Sequence, residues 1–280
     1  MAQTLELYQS LWALEDRIPG QAEQPKAVHL KRIADAGYTG ACLDPNVSEI
    51  EDSLKLKPLF EELGLKCMIN AFPHSADSLK PLLEMSAELQ ATQVNIIAEV
   101  MPLTPAEAVP IIDDWLALAS DYSFPVLMET HRNSTLNDLF YTLEILKRVP
   151  QLRLCADLSH FVVDRELQLP LSAVDAAYFS TVIERSDSFQ GRISNNQQIQ
   201  LAIEFEPHAL WVAQYFDWWR QGFNAWSARS GPNDTLRFLV ELGPPPYAIT
   251  DGTQRELSNR WDEALLIHDR IQAIWAAIPD

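Results

Sequence analysis

The sequence predicts a (β/α)8 barrel that forms one domain over residues 1–280. Short apolar segments that suit buried parallel strands alternate with segments of helical periodicity, giving eight strand–helix units in order. A length of 280 residues is typical of one such barrel. We find no linker, charge run or low-complexity segment that would divide the chain into two domains.

In the first half of the chain, apolar runs alternate with signals for helix ends. Strands are expected at residues 5–11, 40–43, 65–72 and 94–98. Helices are expected at 25–37, 48–64 and 76–90, followed by a fourth that begins after Thr104. Ser48 and Glu51 have the spacing of a capping box, so we expect the second helix to begin there. Thr104 before Pro105 is a favourable N-cap followed by a favourable first helical residue.

In the second half of the chain, the apolar runs end in polar residues more often than they do in the first half. Strands are expected at residues 124–129, 152–157, 188–193 and 236–241, and helices at 136–149, 172–183, 207–229 and 256–278. The helix at 207–229 carries aromatic residues around too much of its circumference for one core-facing stripe. Core packing is the default interpretation. Extra burial against the preceding loop, or against a second subunit in a homo-oligomer, stays open.

A doubly wound sheet is the competing architecture. That fold would call for a glycine-rich loop after an early strand, where phosphate is held at a helix N-terminus. The chain has nine glycines and no Gly-x-Gly-x-x-Gly segment. The barrel is therefore the better interpretation.

The composition narrows the partners and the compartment. A formal charge of −18 and a pI near 4.6, with no basic run, disfavour nucleic acid as a partner. Three widely spaced cysteines (Cys42, Cys67, Cys155) suit buried thiols in a reducing compartment better than disulfides or a zinc site. We find no signal peptide and no membrane-spanning run, so we expect a cytoplasmic protein without a membrane partner.

Three of the predicted strands end in an acid. Glu129, Asp157 and Glu241 are each the first acidic residue after an apolar run, on the fifth, sixth and eighth strands. In a barrel these strand ends surround one open mouth. Converging carboxylates repel one another unless a cation or protons intervene, and their oxygens are hard ligands for Mg²⁺ or Mn²⁺. Taken singly, each acid could be a solvated loop residue or a helix N-cap, but together they indicate a metal site.

The segments Glu129-Thr-His-Arg, Asp157-Leu-Ser-His160 and Glu241-Leu-Gly-Pro resemble the xylose isomerase-like TIM barrel superfamily of sugar isomerases and epimerases. They are most similar to bacterial proteins of the sugar phosphate isomerase/epimerase type. Asp35-Ala-Gly-Tyr-Thr-Gly extends the resemblance towards the N-terminus, so that it covers nearly the whole chain.

The resemblance implies a divalent metal held by Glu, Asp, His and Glu on strands five to eight. Glu129, Asp157 and Glu241 match three of these positions, whereas the strand-seven histidine is replaced by Gln190. A glutamine carbonyl is a neutral hard ligand, so we expect Mn²⁺ or Mg²⁺ in preference to Zn²⁺. A glutamine that does not bind metal, in a protein that has lost catalysis, is the alternative.

The resemblance also implies roles in the reaction. Glu129 and Glu241 would remove and return a proton beside the carbonyl of a sugar or sugar phosphate, through an enediolate. His160 and Arg192 would contact this small-molecule substrate, with His131 and His74 as weaker candidates. For His160, a structural role is the alternative.

Two other functional classes are alternatives for a protein with this fold. A non-catalytic protein that binds a sugar-like molecule is the alternative that Gln190 favours. The fold also hosts metal-dependent DNA repair endonucleases, but six histidines and a charge of −18 disfavour that class.

Overall fold

The computed structural model describes residues 2–18 and 20–279. Eight parallel strands close into a barrel in sequence order, with β8 paired to β1. This confirms the predicted (β/α)8 fold. The strands are β1 (Thr4–Ser10), β2 (Gly40–Leu43), β3 (Lys66–Ala71), β4 (Val94–Ile96), β5 (Val126–Glu129), β6 (Leu154–Ala156), β7 (Ser186–Gly191) and β8 (Thr235–Val240).

Helices surround the barrel. They are α1 (Lys26–Asp35), α2 (Ile50–Leu54), α3 (Lys57–Leu63), α4 (Leu79–Glu88), α5 (Pro105–Ala119), α6 (Leu139–Arg148), α7 (Leu158–Asp164), α8 (Ala173–Glu184), α9 (Ala209–Arg229) and α10 (Arg260–Ala276). Short 3-10 turns precede α2, α4 and α9, and another follows β1. No helix in the described ranges is both long and apolar enough to cross a membrane.

The helical unit after β2 begins differently from the prediction. The capping box is formed by Asn46 and Glu49: the Asn46 side chain accepts from Ser48 N at 2.9 Å, and the Glu49 side chain accepts from Asn46 N at 2.9 Å. The predicted Ser48–Glu51 box was wrong, because Asn46 is an equally good cap and comes two residues earlier. The unit also divides into α2 and α3, since Pro58 has no N–H to continue one helix. In contrast, the predicted Thr104 cap of α5 is confirmed.

Two differences in the second half affect the mouth of the barrel. The helix α7 was not predicted; it begins directly after β6, where the Asp157 side chain accepts from Ser159 N at 2.9 Å. Strand β7 begins and ends two residues earlier than expected. Gln190 therefore lies inside the strand, and Arg192 follows its end.

The aromatic side chains of α9 pack inside the molecule. Trp218 stacks on Phe179 of α8 with ring centroids 4.8 Å apart, and Trp219 meets Phe238 of β8 edge-on at 5.1 Å. Both tryptophans are fully buried. Core packing therefore accounts for these two rings, which lie between the barrel and its helical layer. All three cysteines are also buried and free.

Candidate active site

A cavity of about 390 Å³ opens at the carboxyl ends of the strands. Its lining combines acids and aromatic rings: Trp12, Asp44, Asn46, Phe72, Ile97, Glu99, Glu129, His131, Arg192, Glu241 and Tyr247. This is where (β/α)8 enzymes place their reacting groups, because every parallel strand ends at the same rim.

The three predicted acids converge at this rim. Glu129 ends β5, while Asp157 and Glu241 directly follow β6 and β8. Each offers a carboxylate oxygen within 4.8 Å of the other two, and all three side chains are buried. Side chains alternate between the two faces of a strand. Leu239 faces the inside of the barrel, so Glu241, two residues later, faces the barrel axis too.

Arg192 is the cation that contacts two of these acids. Its Nε donates to Oδ2 of Asp157 at 3.1 Å, and its Nη2 donates to Oε2 of Glu241 at 2.6 Å. Its Nη1 donates to Oε1 of Gln200 at 3.2 Å. Gln200 in turn bonds the backbone of Gly243, which anchors the guanidinium between the loops after β7 and β8.

Gln190 contacts the third acid. Its neighbour Phe189 packs outward against Phe223 of α9, so strand alternation directs Gln190 into the barrel. Its amide nitrogen donates to Glu129, whereas its Oε1 is fully buried without a hydrogen-bond partner in the described structure. An orphan acceptor beside a carboxylate cluster is uncommon, because buried polar atoms are usually paired.

The environment shifts the pKa values of the three acids in different directions. Burial raises the pKa of Glu129 well above its ordinary value, and the Glu241 and Asp157 charges raise it further. Burial also raises the pKa of Glu241 to about 8, although Arg192 opposes this effect. For Asp157, burial is outweighed by His160 and Arg192, which together hold its pKa below the usual range.

The histidines predicted to contact substrate lie at different depths. His160 is fully buried: its Nε2 lies 3.4 Å from Oδ2 of Asp157, and its Nδ1 lies 3.5 Å from Nη1 of Arg132. His131 lines the cavity and packs on His160 with ring centroids 3.9 Å apart. Burial lowers the pKa of both rings, so both are neutral near pH 7. His74 is exposed and lies outside the set of residues that line the cavity.

Two aromatic rings cover Arg192. Its guanidinium carbon lies 4.6 Å from the ring centre of Tyr247 and 5.8 Å from that of Trp12. The two rings meet edge-on at 5.4 Å. Their stacking holds the planar guanidinium in place, and an apolar ring beside hydrogen-bonding groups also suits a sugar. Sequence reasoning did not assign these rings, although both follow strand ends.

Asp44 is a further site residue that sequence reasoning did not assign. It follows β2, lines the cavity and accepts from Nδ2 of Asn70 at 2.9 Å and from Oγ of Ser10 at 3.4 Å. Burial raises its pKa to about 7, although these two hydrogen bonds lower it. The available signal was the pattern used for the other three acids, a carboxylate directly after an apolar strand.

No family profile matches the chain, and no curated protein sequence matches it. Among solved structures, an L-ribulose 3-epimerase superposes with a TM-score of 0.58 at 13% identity, covering 99% of this chain and 95% of that one. A D-allulose 3-epimerase from Methylomonas sp., solved with D-allulose, has a TM-score of 0.55 at 13% identity, with 99% and 96% covered.

A D-psicose 3-epimerase solved in the presence of D-fructose has a TM-score of 0.56 at 13% identity, with 96% of each chain covered. At this identity the likeness shows the fold alone. That shared fold is the closed (β/α)8 barrel, as the sequence predicted.

Proposed function

We propose that the protein is a metal-dependent isomerase or epimerase of a small polyhydroxy carbonyl compound, a sugar or a close relative. The observation that carries the proposal is the convergence of Glu129, Asp157 and Glu241 at the rim of an open cavity of about 390 Å³. Three buried acids at one point stabilise nothing by themselves, because their mutual repulsion and desolvation oppose folding. The likeness to sugar epimerases supports the choice of reaction at the level of the fold.

The side chains fit a hard divalent cation. When ionised, the three carboxylates exceed the single charge of Arg192 by two. Burial drives Glu129 and Glu241 towards protonation when no other cation is present. Glu129, Asp157 and Glu241 would supply the ligands, and the orphan Oε1 of Gln190 would supply a fourth, neutral oxygen. An all-oxygen set favours Mn²⁺ or Mg²⁺ over Zn²⁺. The cation would polarise the substrate carbonyl and stabilise negative charge beside it.

Glu129 and Glu241 are the proposed proton carriers. Both are buried carboxyls that line the cavity, so each is placed to take a proton from a substrate bound there or to give one to it. Glu129 ends β5 and Glu241 follows β8, three strands away around the barrel, and both line the cavity. One would remove the proton beside the carbonyl, and the other would return a proton to the resulting enediolate.

The neighbouring residues would orient these groups. Arg192 donates hydrogen bonds to both Asp157 and Glu241 and so fixes their positions. Because it also lines the cavity, its remaining N–H groups could donate to a substrate oxygen. His160 lies beside Asp157, away from the cavity lining, so we propose that it positions Asp157. His131 lines the cavity and remains a proposed substrate contact. We propose no role for the exposed His74.

Proton–deuterium exchange tests the proposal directly. Ketohexoses and ketopentoses are incubated with the protein and Mn²⁺ in D₂O, and exchange beside the carbonyl is followed by NMR. We expect exchange in the wild type and its loss in Glu129→Gln and in Glu241→Gln. Glu99→Gln is the matched control, because Glu99 lines the same cavity outside the acid cluster. Exchange that survives in both cluster variants would contradict the assigned proton carriers.

A non-catalytic sugar-binding protein is the second candidate. It is favoured by the contacts of Arg192 and Gln190, which already provide each of the three acids with a protein donor. In that case a ketose would bind with a measurable heat, while no wild-type exchange would occur with any sugar tested. Binding without exchange would decide for this candidate.

A further inference from the structure

Asp44 lies at the same mouth of the barrel as the acid cluster, opposite Asp157 and two strands from Glu241. It follows β2, whereas Asp157 follows β6, and these strands are four apart in either direction around the closed barrel. Both the cluster and Asp44 face the same cavity. The proposed reaction uses no group at this position. A substrate whose carbonyl lies at the cluster would extend its other end towards Asp44.

A chain of hydrogen bonds inside the barrel ends on Asp44. Nε2 of Gln93 donates to Oδ1 of Asn95 at 2.8 Å, and Nδ2 of Asn95 donates to Oδ1 of Asn70 at 2.9 Å. Nδ2 of Asn70 then donates to Oδ1 of Asp44 at 2.9 Å. The three amide side chains are at most 1% exposed. Every bond runs in the same direction, from the interior towards the cavity.

The direction of this chain follows from the chemistry of its last member. Above its pKa of about 7, Asp44 is ionised and only accepts hydrogen bonds, so Asn70 presents its nitrogen to Asp44 and its oxygen to Asn95. The same requirement then passes to Asn95 and Gln93. Because the interior of a (β/α)8 barrel is ordinarily filled by branched apolar residues, three buried amides are an expensive alternative unless all are paired. Their joint effect is to hold Asp44 as an acceptor.

Asp44 keeps acceptor capacity for a ligand. Its Oδ1 receives the bond from Asn70, whereas among the described residues Oδ2 has only the long 3.4 Å contact with Ser10. A hydroxyl group in the cavity could donate to this carboxylate, whereas a phosphate would meet a like charge. Glu99, which lies outside the acid cluster, is a further acid in the same lining.

We propose that Asp44 is a specificity-determining residue that binds the terminal hydroxyl of the substrate, the group farthest from the reacting carbonyl. Asn70, Asn95 and Gln93 are positioning residues that keep it an acceptor. The preferred substrate is then a ketose with a free terminal hydroxyl, and its terminal phosphate ester is rejected. This inference rests on the proposed function, because it assumes that a sugar carbonyl lies at the acid cluster.

Calorimetry with three probes in Mn²⁺ at pH 8, where Asp44 is ionised, tests the inference: D-fructose, 6-deoxy-D-fructose and D-fructose 6-phosphate. A hydrogen bond to a charged group is strong, so the wild type should bind D-fructose roughly tenfold more tightly than the 6-deoxy sugar. The 6-phosphate should bind more weakly still. In Asp44→Asn the difference between the first two probes should shrink several-fold, and the penalty against the phosphate should fall.

Two further variants separate the hydrogen bond from general charge and from folding. Glu99→Gln removes one negative charge from the same cavity but should leave the D-fructose to 6-deoxy ratio unchanged. Asn70→Leu removes the donor with little change in volume and should reduce that ratio as Asp44→Asn does. Adding Asp44→Asn to Asn70→Leu should then have no further effect on the ratio. Thermal unfolding of each variant verifies that the fold is retained.

Equal wild-type affinity for D-fructose and its 6-deoxy analogue would overturn the inference, and so would an Asp44→Asn variant that weakens both equally. If deuterium exchange still occurs with these sugars, the proposed function survives that failure. An Asp44-dependent preference without any exchange has the opposite meaning: the subsite is correct and the catalytic proposal fails.

Discussion

Arg192 and Glu241 form a buried ion pair at the mouth of the barrel, with Nη2 of the guanidinium 2.6 Å from Oε2 of the carboxylate. The same guanidinium reaches Asp157. The protein therefore places its own cation among the acids that we propose as metal ligands. A fixed positive charge beside them should weaken metal binding, while it lowers the pKa values of Asp157 and Glu241 and holds both side chains in place.

Removal of Arg192 should change metal affinity and stability in opposite directions. In Arg192→Met we expect Mn²⁺ to bind roughly tenfold more tightly, because a like charge near the ion is lost. Without metal, the variant should lose about 3 kcal/mol of stability, since breaking a buried ion pair leaves unpaired charge. Calorimetry and urea unfolding with and without Mn²⁺ measure both effects. Arg153→Met is the control, since Arg153 pairs with Asp187 at the other end of the strands. Weaker Mn²⁺ binding in Arg192→Met would contradict the proposed metal site.

Gln190→His should restore a nitrogen ligand at β7. We expect Zn²⁺ affinity to rise more than Mn²⁺ affinity, by about tenfold or more, because imidazole is a softer ligand than an amide oxygen. Gln190→Leu, which offers no ligand, should bind both metals more weakly than the wild type. Competition titrations against a metal indicator give the affinities. If Gln190→His binds both metals exactly as the wild type does, residue 190 does not contact the ion.

Glu263 should make stability fall as the pH rises. It lies on α10, is 2% exposed and accepts from Ile203 N at 2.8 Å, and burial raises its pKa to about 7. The folded state therefore favours the protonated form. The loss of stability that ionisation of Glu263 causes is absent below the unfolded-state pKa of about 4.3. It grows as the pH rises to about 7, the folded-state pKa, and is constant above that pH.

Replacing Glu263 by Gln should remove this dependence. At pH 8 the variant should be more stable than the wild type by about 2 kcal/mol, and at pH 4.5 the difference should be close to zero. Urea unfolding at several pH values measures the effect. Asp262→Asn changes the exposed neighbour on the same helix and should shift stability equally at all these pH values. A Glu263→Gln difference that does not change with pH would contradict the assignment.

Gly222 is required by the packing of α9 on β7. A Cβ at this position would lie 2.3 Å from Cζ of Phe189, which is far inside contact distance. Gly222→Ala should therefore destabilise the fold by about 1–3 kcal/mol, although alanine favours helices. Phe189→Leu should relieve part of this clash because it removes the ring, so the double variant should be more stable than the sum of the two single effects predicts. Asn224→Ala on the exposed face of α9 is the control, and thermal unfolding supplies the comparison. Strict additivity would argue against the close contact.

The local sequence was sufficient to predict the eight strands, most of the helices and three acids of the candidate site. The periodicity of apolar residues predicted each strand within a few residues, because a buried parallel strand must be apolar along its length. Glu129, Asp157 and Glu241 could be grouped without a structure, since the carboxyl ends of parallel strands all reach the same rim. The helix α7 was missed because it is seven residues long and begins at Leu158, so that only its N-cap Asp157 separates it from β6.

The pairings inside the site were decided only by the tertiary structure. Arg192 follows β7, yet it bonds acids after β6 and β8, and the sequence specifies neither the barrel closure nor the reach of each side chain. The same holds for Asp44, whose acid-after-strand pattern is evident in the sequence but whose bond from Asn70 depends on how β2 and β3 align. Strand ends follow from a local pattern of burial, whereas hydrogen-bond partners depend on distances between residues far apart in the chain.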